Sequence, residues 1–312
     1  MISFRRFVRG VDEPVWVEVL NSAYRDREDW RAFTVEEFLQ EQKRPNFDFE
    51  GRFIAELDSR AIGVAHAHVD KLRDDGKGFI RLGVVPEFLP SGVAQQLLEA
   101  ALSELKDRGM RTAEAWADSD QAERIQLLEG MGFERVRVFS TMEADLDDIP
   151  RGLLENKQVE IRTLRKDLDA DIELFNWLDN ESFKEHFNYR PETVEETRHH
   201  LLSNPYFSEQ DVFFAVLDGD SVGSVGVGID EKYNLEKQVK AGEIFTIGVL
   251  KGYRRTGVGV RLMLHGLESL KSKGMVKAIL GVDDSNPTKA IRLYEEVGFR
   301  VKTKHITFQK DL

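Results

Sequence analysis

The stretch Lys251-Gly252-Tyr253-Arg254-Arg255-Thr256-Gly257-Val258-Gly259-Val260-Arg261 gathers basic side chains and glycines into one short segment. These residue types in this order suit the binding of a phosphate-bearing ligand. Glycine lets backbone N–H groups approach an anion with no Cβ in the way. The orphan N–H groups and the dipole of a helix start attract negative charge, and arginines add full charges beside them. The pattern Arg254-x-x-Gly257-x-Gly259 lacks the Gly-Lys-Ser/Thr ending of a Walker loop and the spacing of a Rossmann G-x-G-x-x-G.

Such a loop needs a strand to deliver it and a helix to follow it. Glu243-Ile244-Phe245-Thr246-Ile247-Gly248-Val249 is rich in β-branched and aromatic residues and reads as the strand. Leu262, Met263, Leu267 and Leu270 recur at helical spacing and predict the helix. Further on, Asn286-Pro287-Thr288-Lys289-Ala290-Ile291-Arg292-Leu293-Tyr294-Glu295-Glu296-Val297-Gly298-Phe299 predicts a second helix over 288–297, with Asn286 as its cap.

The chain also repeats itself. Phe53-Ile54-Ala55-Glu56-Leu57-Asp58 matches Phe213-Phe214-Ala215-Val216-Leu217-Asp218, and Thr34-Val35-Glu36-Glu37 matches Thr193-Val194-Glu195-Glu196. Leu82-Gly83-Val84-Val85 matches Ile247-Gly248-Val249-Leu250, and Gly132-Phe133 matches Gly298-Phe299. The period is too long for a solenoid and reads as two copies of one domain. The segment Asp147-Asp148-Ile149-Pro150-Arg151-Gly152 carries turn residues and no apolar periodicity. The expected organisation is a first domain over 1–147, a linker over 148–158 and a second domain over 159–312. In the second copy, strands are expected at 159–164, 212–217, 221–229, 243–249, 276–282 and 300–309, with helices at 169–187, 193–203, 257–273 and 288–297.

The Arg-x-x-Gly-x-Gly loop, followed by an Asn-headed helix with a Tyr and a closing Gly-Phe, resembles the acetyl-CoA signatures of the GNAT (Gcn5-related N-acetyltransferase) superfamily. The resemblance covers the second copy almost entirely and the first in outline. It implies an α/β fold of the α+β kind: two tandem domains, each a mostly antiparallel mixed sheet flanked by helices. It implies acetyl-CoA as co-substrate, its pyrophosphate on backbone N–H groups of Arg255, Thr256, Gly257, Val258, Gly259 and Val260 beside Arg254. Ile247, Gly248 and Val249 would pair with the pantetheine arm as with an added strand, and Asn286 would touch that arm. A tandem chain of this length with an unequal first half resembles the mycothiol synthase type. The segments Asn180-Glu181-Ser182-Phe183-Lys184-Glu185-His186 and Pro205-Tyr206-Phe207 are similar to the substrate side of that type, with His186 a candidate wall of the acceptor pocket.

Acetyl transfer to an amine needs a neutral amine, a polarised carbonyl and a protonated leaving thiol. Glu243, at the start of the loop-bearing strand, is the candidate base; Asp230, Glu231 and Glu236 precede it as alternatives. Tyr294, whose phenol holds its proton up to a pH of about 10, is the candidate acid, at the position of the family's acid Tyr. The first copy has Leu89-Pro90-Ser91-Gly92-Val93-Ala94 opposite the loop, Asp120 opposite Asn286, Leu128 opposite Tyr294 and Gly78 opposite Glu243. Pro90 removes a backbone donor, and Asp120 carries the wrong charge for a phosphate. The first copy is therefore expected to be a degenerate scaffold and the second to be catalytic.

Composition limits the partners. A net charge of -12 over 312 residues opposes general nucleic-acid binding. The absence of cysteine excludes disulfides, Cys-based metal sites and a Cys nucleophile. No apolar run is long enough to span a membrane, and the N-terminus lacks a signal-peptide pattern. The expectation is a cytoplasmic monomer or homodimer that acetylates a primary amine of a small molecule and needs no metal. Acetylation of a peptide N-terminus, and a non-catalytic acyl-CoA sensor, are the competing readings; intact Glu243 and Tyr294 oppose the sensor.

Overall fold

In the computed structural model the described residues are 1–150, 152–153, 156–286 and 288–312. Arg151, Leu154 and Glu155 of the expected linker, and Pro287 beside Asn286, lie outside them. The first half runs β1 (Ile2–Arg6), α1 (Glu13–Tyr24), α2 (Val35–Glu41), β2 (Arg52–Leu57), β3 (Arg60–His68), β4 (Lys77–Val84), α3 (Val93–Asp107), β5 (Thr112–Asp118), α4 (Ala122–Gly130) and β6 (Glu134–Asp145). The second runs β7 (Glu160–Thr163), α5 (Asp169–Phe183), α6 (Val194–Ser203), β8 (Glu209–Leu217), β9 (Asp220–Ile229), α7 (Glu231–Lys237), β10 (Ala241–Val249), α8 (Val258–Ser272), β11 (Lys277–Asp283), α9 (Ala290–Val297) and β12 (Arg300–Asp311).

The repeat seen in the sequence is a repeat of local structure. Both Thr-Val-Glu-Glu segments are capping boxes: Thr34 with Glu37 opens α2, and Thr193 with Glu196 opens α6. Both Leu-Asp turns reverse a hairpin with left-handed backbone, Asp58 and Ser59 in one copy and Asp218 and Gly219 in the other.

The division in space differs from the division along the chain. One unit is Met1–Arg137 with His305–Leu312; the other is Val138–Lys304. Each half thus gives its last strand segment to the other half's unit, in place of the expected split into 1–147 and 159–312. The reason is burial: Ile306 and Phe308 enter the apolar cluster of Leu97, Leu98 and Phe133 in the first unit, and Met142 and Ala144 enter that of Leu262, Leu280 and Phe299 in the second.

Within the first unit the sheet order is β1-β2-β3-β4-β5, with 305–311 of β12 antiparallel to β5. Within the second it is β7-β8-β9-β10-β11, with 139–145 of β6 antiparallel to β11. Strand pairs are antiparallel except β4 with β5 and β10 with β11. Helices cover both faces of each sheet. In the second unit α8 buries Val258, Leu262, Met263, Leu267 and Leu270 against one face, while Ile172, Phe175, Leu178 and Leu201 of α5 and α6 pack on the other. Among the described residues no helix is long and apolar enough to cross a membrane.

Three elements depart from expectation. The loop before β10 contains α7, capped by the Asp230 side chain, which accepts from the Tyr233 N–H at 2.9 Å. Helix α5 stops at Phe183, where the chain turns and the His186 N–H bonds the Phe183 carbonyl. Helix α9 begins at Ala290, two residues later than expected.

Candidate active site

Strands β10 and β11 pair only from Ala241 with Lys277 to Ile244 with Leu280. On its other edge β10 stays paired with β9 as far as Val249 with Gly223. A bulge between Ile244 and Thr246 marks the point where β10 turns away from β11. Beyond it, the β11-side edge of Phe245 to Val249 has no strand partner among the described residues. That edge includes Ile247, Gly248 and Val249.

The parted edge leads to the start of α8. Gly257 caps α8 with left-handed backbone, φ 83°. Its carbonyl accepts from the Arg261 and Asn156 N–H groups. The N–H groups of Val258, Gly259 and Val260 have no partner among the described residues, as expected of a first helical turn. A Cβ placed on Gly259 would meet only Leu293 at 3.5 Å and Val249 at 3.8 Å, ordinary contacts. Protein packing therefore does not demand glycine there, whereas close approach of a ligand would. Gly248 differs: a Cβ on it would lie 2.7 Å from the Ser182 Cβ, so its smallness serves the packing of α5 on β10.

The basic residues divide. Arg254 donates to the Val249 carbonyl at 3.0 Å, to the Ser182 carbonyl at 2.9 Å and to Glu185 at 3.2 Å. Lys251 also pairs with Glu185, at 2.7 Å. Arg254 thus ties the end of α5 to the end of β10 and is partly neutralised. Arg255 is exposed and holds φ 64°, a left-handed conformation that is strained for a residue with a Cβ. The Thr256 hydroxyl donates to the Tyr253 carbonyl at 2.6 Å and closes the loop on itself.

The two candidate catalytic groups come from opposite faces of the sheet. Gly242 and Ile244 face α8, since a Cβ on Gly242 would strike Leu270 and Ile244 packs in the α8 cluster. Strand alternation puts Glu243 on the α5–α6 face. Glu243 is exposed, yet protein surrounds it closely enough that burial pushes its carboxyl up to about 7, with Asp230 adding to the shift. Water at the exposed side chain tempers the shift and leaves its direction upward. Tyr294 lies on the α8 face, buried at 6% exposure beside Phe299, and Ile247 and Val249 pack against the same cluster. Burial pushes its phenol up to about 12, so it stays protonated. No hydrogen-bond partner for its hydroxyl is present among the described residues.

Asn286 does not cap α9. Its Oδ1 accepts from the Thr288 N–H and hydroxyl, both at 2.8 Å, and Lys289 occupies the cap position with left-handed backbone. The side chain closes a local turn, and the helix starts after it.

The chain matches the family model described as "Acetyltransferase (GNAT) family" over residues 16–133 and 172–299. The chain belongs to the GNAT acetyltransferase family. It is 29% identical over 235 residues to the mycothiol acetyltransferase of Thermobispora bispora, covering 73% of this chain and 75% of that protein. It is 32% identical over 142 residues to that of Thermobifida fusca, covering 43% and 44% of the two chains. A tandem GNAT protein from the clavulanic acid biosynthesis pathway has the same fold, with a TM-score of 0.77 at 13% identity over 100% of this chain and 98% of that one. The chain is thus a tandem GNAT enzyme that resembles mycothiol synthase.

Within this GNAT chain the sequence reading overlooked Asp179. It falls on the apolar stripe of α5 with Ile172, Phe175 and Ser182, at positions i, i+3, i+7 and i+10, which was its one legible signal. The Thr246 hydroxyl donates to its Oδ1 at 2.8 Å, at the bulge where β10 leaves β11. Burial pushes its carboxyl up to about 6 against the lowering by Thr246, and Glu192 adds to the rise. Leu128, opposite Tyr294, is core at 2% exposure. His186 packs edge-on against Phe183 at 4.6 Å, in the turn after α5.

Proposed function

We propose that this chain transfers the acetyl group of acetyl-CoA to a primary amine of a small molecule, with the second unit catalytic and the first a scaffold. One observation carries the reading: β10 parts from β11 after Ile244, one residue beyond Glu243, and the freed edge runs to the unpartnered N–H groups of α8. The fit is that of an extended arm ending in a diphosphate. Ile247, Gly248 and Val249 would hold the arm by backbone hydrogen bonds. Arg255 to Val260 would hold the diphosphate, with Arg254 fixing the loop from behind. The bound donor supplies a thioester carbonyl as the electrophile.

Glu243 accepts the proton of the incoming ammonium. A carboxylate that titrates near neutrality is matched to this task. As the C–N bond forms and the C–S bond breaks, the Tyr294 phenol gives its proton to the departing sulfur; the new amide nitrogen then sheds its extra proton to water, and water re-protonates the phenolate. Opposite faces suit this division, because the amine enters from the α5–α6 side and the leaving sulfur lies toward α9. The transfer requires no metal. A small-molecule acceptor is supported by the mycothiol acetyltransferase relatives. The enzyme is proposed to work in the cytoplasm as a monomer or homodimer, without nucleic acid or membrane.

The test is an amine-acceptor screen that follows free thiol released from acetyl-CoA. The expected result is turnover with small amines that is lost in the double variant Glu243→Gln/Tyr294→Phe. Turnover confined to peptide N-termini would replace the small-molecule reading. Stoichiometric acetyl-CoA binding without turnover on any amine would replace the enzyme with a sensor.

A further inference from the structure

His66 and His68 stand two apart on β3, so their side chains leave the same face of the sheet. Asp48, from the loop before β2, reaches that face with a fully buried side chain. The His66 Nε2 and the His68 Nδ1 lie 3.7 and 3.6 Å from the same atom, Asp48 Oδ2. These separations exceed a hydrogen bond. Both nitrogens are buried, and among the described residues neither lies within hydrogen-bond distance of a partner. The three ligating atoms all lie within 4.8 Å of one another.

The fold does not require this arrangement. In the repeat register that aligns Gly63 with Gly223, His66 and His68 fall opposite Gly226 and Gly228. In the second unit a Cβ at those glycines would strike Phe245 and Phe207, whose rings fill the space. The first unit places two imidazoles and a carboxylate there instead.

We propose that Asp48, His66 and His68 form a site for a divalent transition-metal ion of the imidazole-preferring class, with Zn²⁺ as its representative. An ion bound at about 2.0–2.2 Å to each ligand needs ligand atoms about 3–3.5 Å apart, a small contraction from what is present. The carboxylate is already oriented: Asp48 accepts from Arg108 at 2.9 and 3.0 Å, from the Val69 N–H at 2.8 Å and from the Glu50 N–H at 3.2 Å. The bonds from the Glu50 N–H and Arg108 Nη2 to Oδ1 hold the carboxylate in place, while Oδ2 accepts from the Val69 N–H and Arg108 Nη1, one of which an ion on Oδ2 would displace. Arg108 on the carboxylate, with the buried Arg52 close by, disfavours hard cations that bind by charge alone. The site therefore selects for ions that bond well to two imidazoles. The His68 side chain is 25% exposed, which leaves a route for the ion and room for a water ligand.

The test uses the full chain stripped with a chelator and titrated with ZnCl₂, followed by calorimetry, and with CoCl₂, followed by visible absorption. The expected result is one saturable equivalent that raises Tm, intense Co²⁺ d–d bands, and no response to Mg²⁺. His66→Gln and His68→Gln should each weaken binding by at least about tenfold, since each removes one of three protein ligands. If His66→Gln folds poorly, the more exposed His68→Gln decides. The proposal is overturned if wild type binds no saturable equivalent. It is equally overturned if His68→Gln leaves affinity and the Co²⁺ spectrum unchanged, or if binding is abolished by replacing the adjacent histidines of α6 in the second unit, His199→Gln/His200→Gln.

Discussion

Arg124 of α4 joins two carbonyls on strands that have parted: its Nη1 donates to Leu82 on β4 at 2.9 Å and its Nε to Trp116 on β5 at 2.8 Å. In the first unit β4 and β5 pair only from Lys77 with Thr112 to Phe79 with Glu114, so the same opening begins there as between β10 and β11. Leu82 is the repeat equivalent of Ile247, whose backbone is proposed to pair with the pantetheine arm. The Tyr24 hydroxyl also donates to the Leu82 carbonyl, at 2.6 Å, and thereby engages its second lone pair. The register that sets Leu128 opposite Tyr294 sets Arg124 opposite Ala290, which has no side chain to bridge anything. The first unit thus keeps the opening and fills it with its own guanidinium.

Acetyl-CoA is therefore expected to bind once per chain. Calorimetry should give one equivalent for wild type; two equal sites would remove the case for a closed first unit. Arg124→Ala leaves two carbonyls short of a donor and should cost about 1–3 kcal/mol of stability in urea unfolding. Turnover at saturating substrate should not rise.

The two loop arginines should separate in their effects. Arg254→Ala removes donors from the Val249 and Ser182 carbonyls and frees Glu185, so stability should fall by about 1–3 kcal/mol along with acetyl-CoA affinity. Arg255→Gly relieves a left-handed backbone and should leave stability equal or higher while weakening acetyl-CoA binding. The loss for Arg255→Gly should shrink in high salt, because an exposed charge is screened. Equal affinities for wild type and both variants would mean the diphosphate sits elsewhere.

Sequence pattern carried the repeat, most of the order of elements along each copy and the loop-helix, because these rest on local periodicity and caps. It did not carry the exchange of end strands. Alternation in 300–309 shows that one face is buried, but not that Ile306 and Phe308 face the first unit's core. Helix α7 was not legible because its seven residues bury none of their side chains and so carry no apolar stripe; the Asp230 cap was its one signal. The contacts of Arg124 and Asp179 were not legible, because Leu82 and Thr246 are distant along the chain and a backbone carbonyl leaves no mark in the sequence. His66-x-His68 is visible as a motif, yet only the fold brings Asp48 to it.

Asp179 should make stability pH-dependent. Its carboxyl titrates near 6 when folded and near 4 when unfolded. Between those values the folded state holds the extra proton, so stability falls as pH rises from 4 through 6. Asp179→Asn should remove that part of the slope. The variant should gain on wild type by about 1–3 kcal/mol at pH 8 and differ little at pH 4. Urea midpoints at the two pH values measure it, and parallel wild-type and variant curves would show that Asp179 is ionised at no cost.

Glu243 and Tyr294 should separate on a pH–rate profile. Glu243 is pushed up to about 7, so kcat/KM should rise with pH through about 7 as its base form appears. Glu243→Gln should lose most on the acidic side, where the acceptor amine is charged, and little above pH 9, where free amine comes from solution. Tyr294 titrates near 12 and stays a proton donor over the whole accessible range. Tyr294→Phe should therefore lower kcat by about 10²–10⁴-fold at every pH from 6 to 9. Acetyl-CoA affinity should hold, because the ring and its contact with Phe299 remain. Stability should hold, since the hydroxyl has no hydrogen-bond partner among the described residues. If both variants retain more than about a fifth of wild-type activity, the acid–base assignment fails, since such general catalysis contributes at least about a hundredfold. Positioning at the parted strands would then account for the rate.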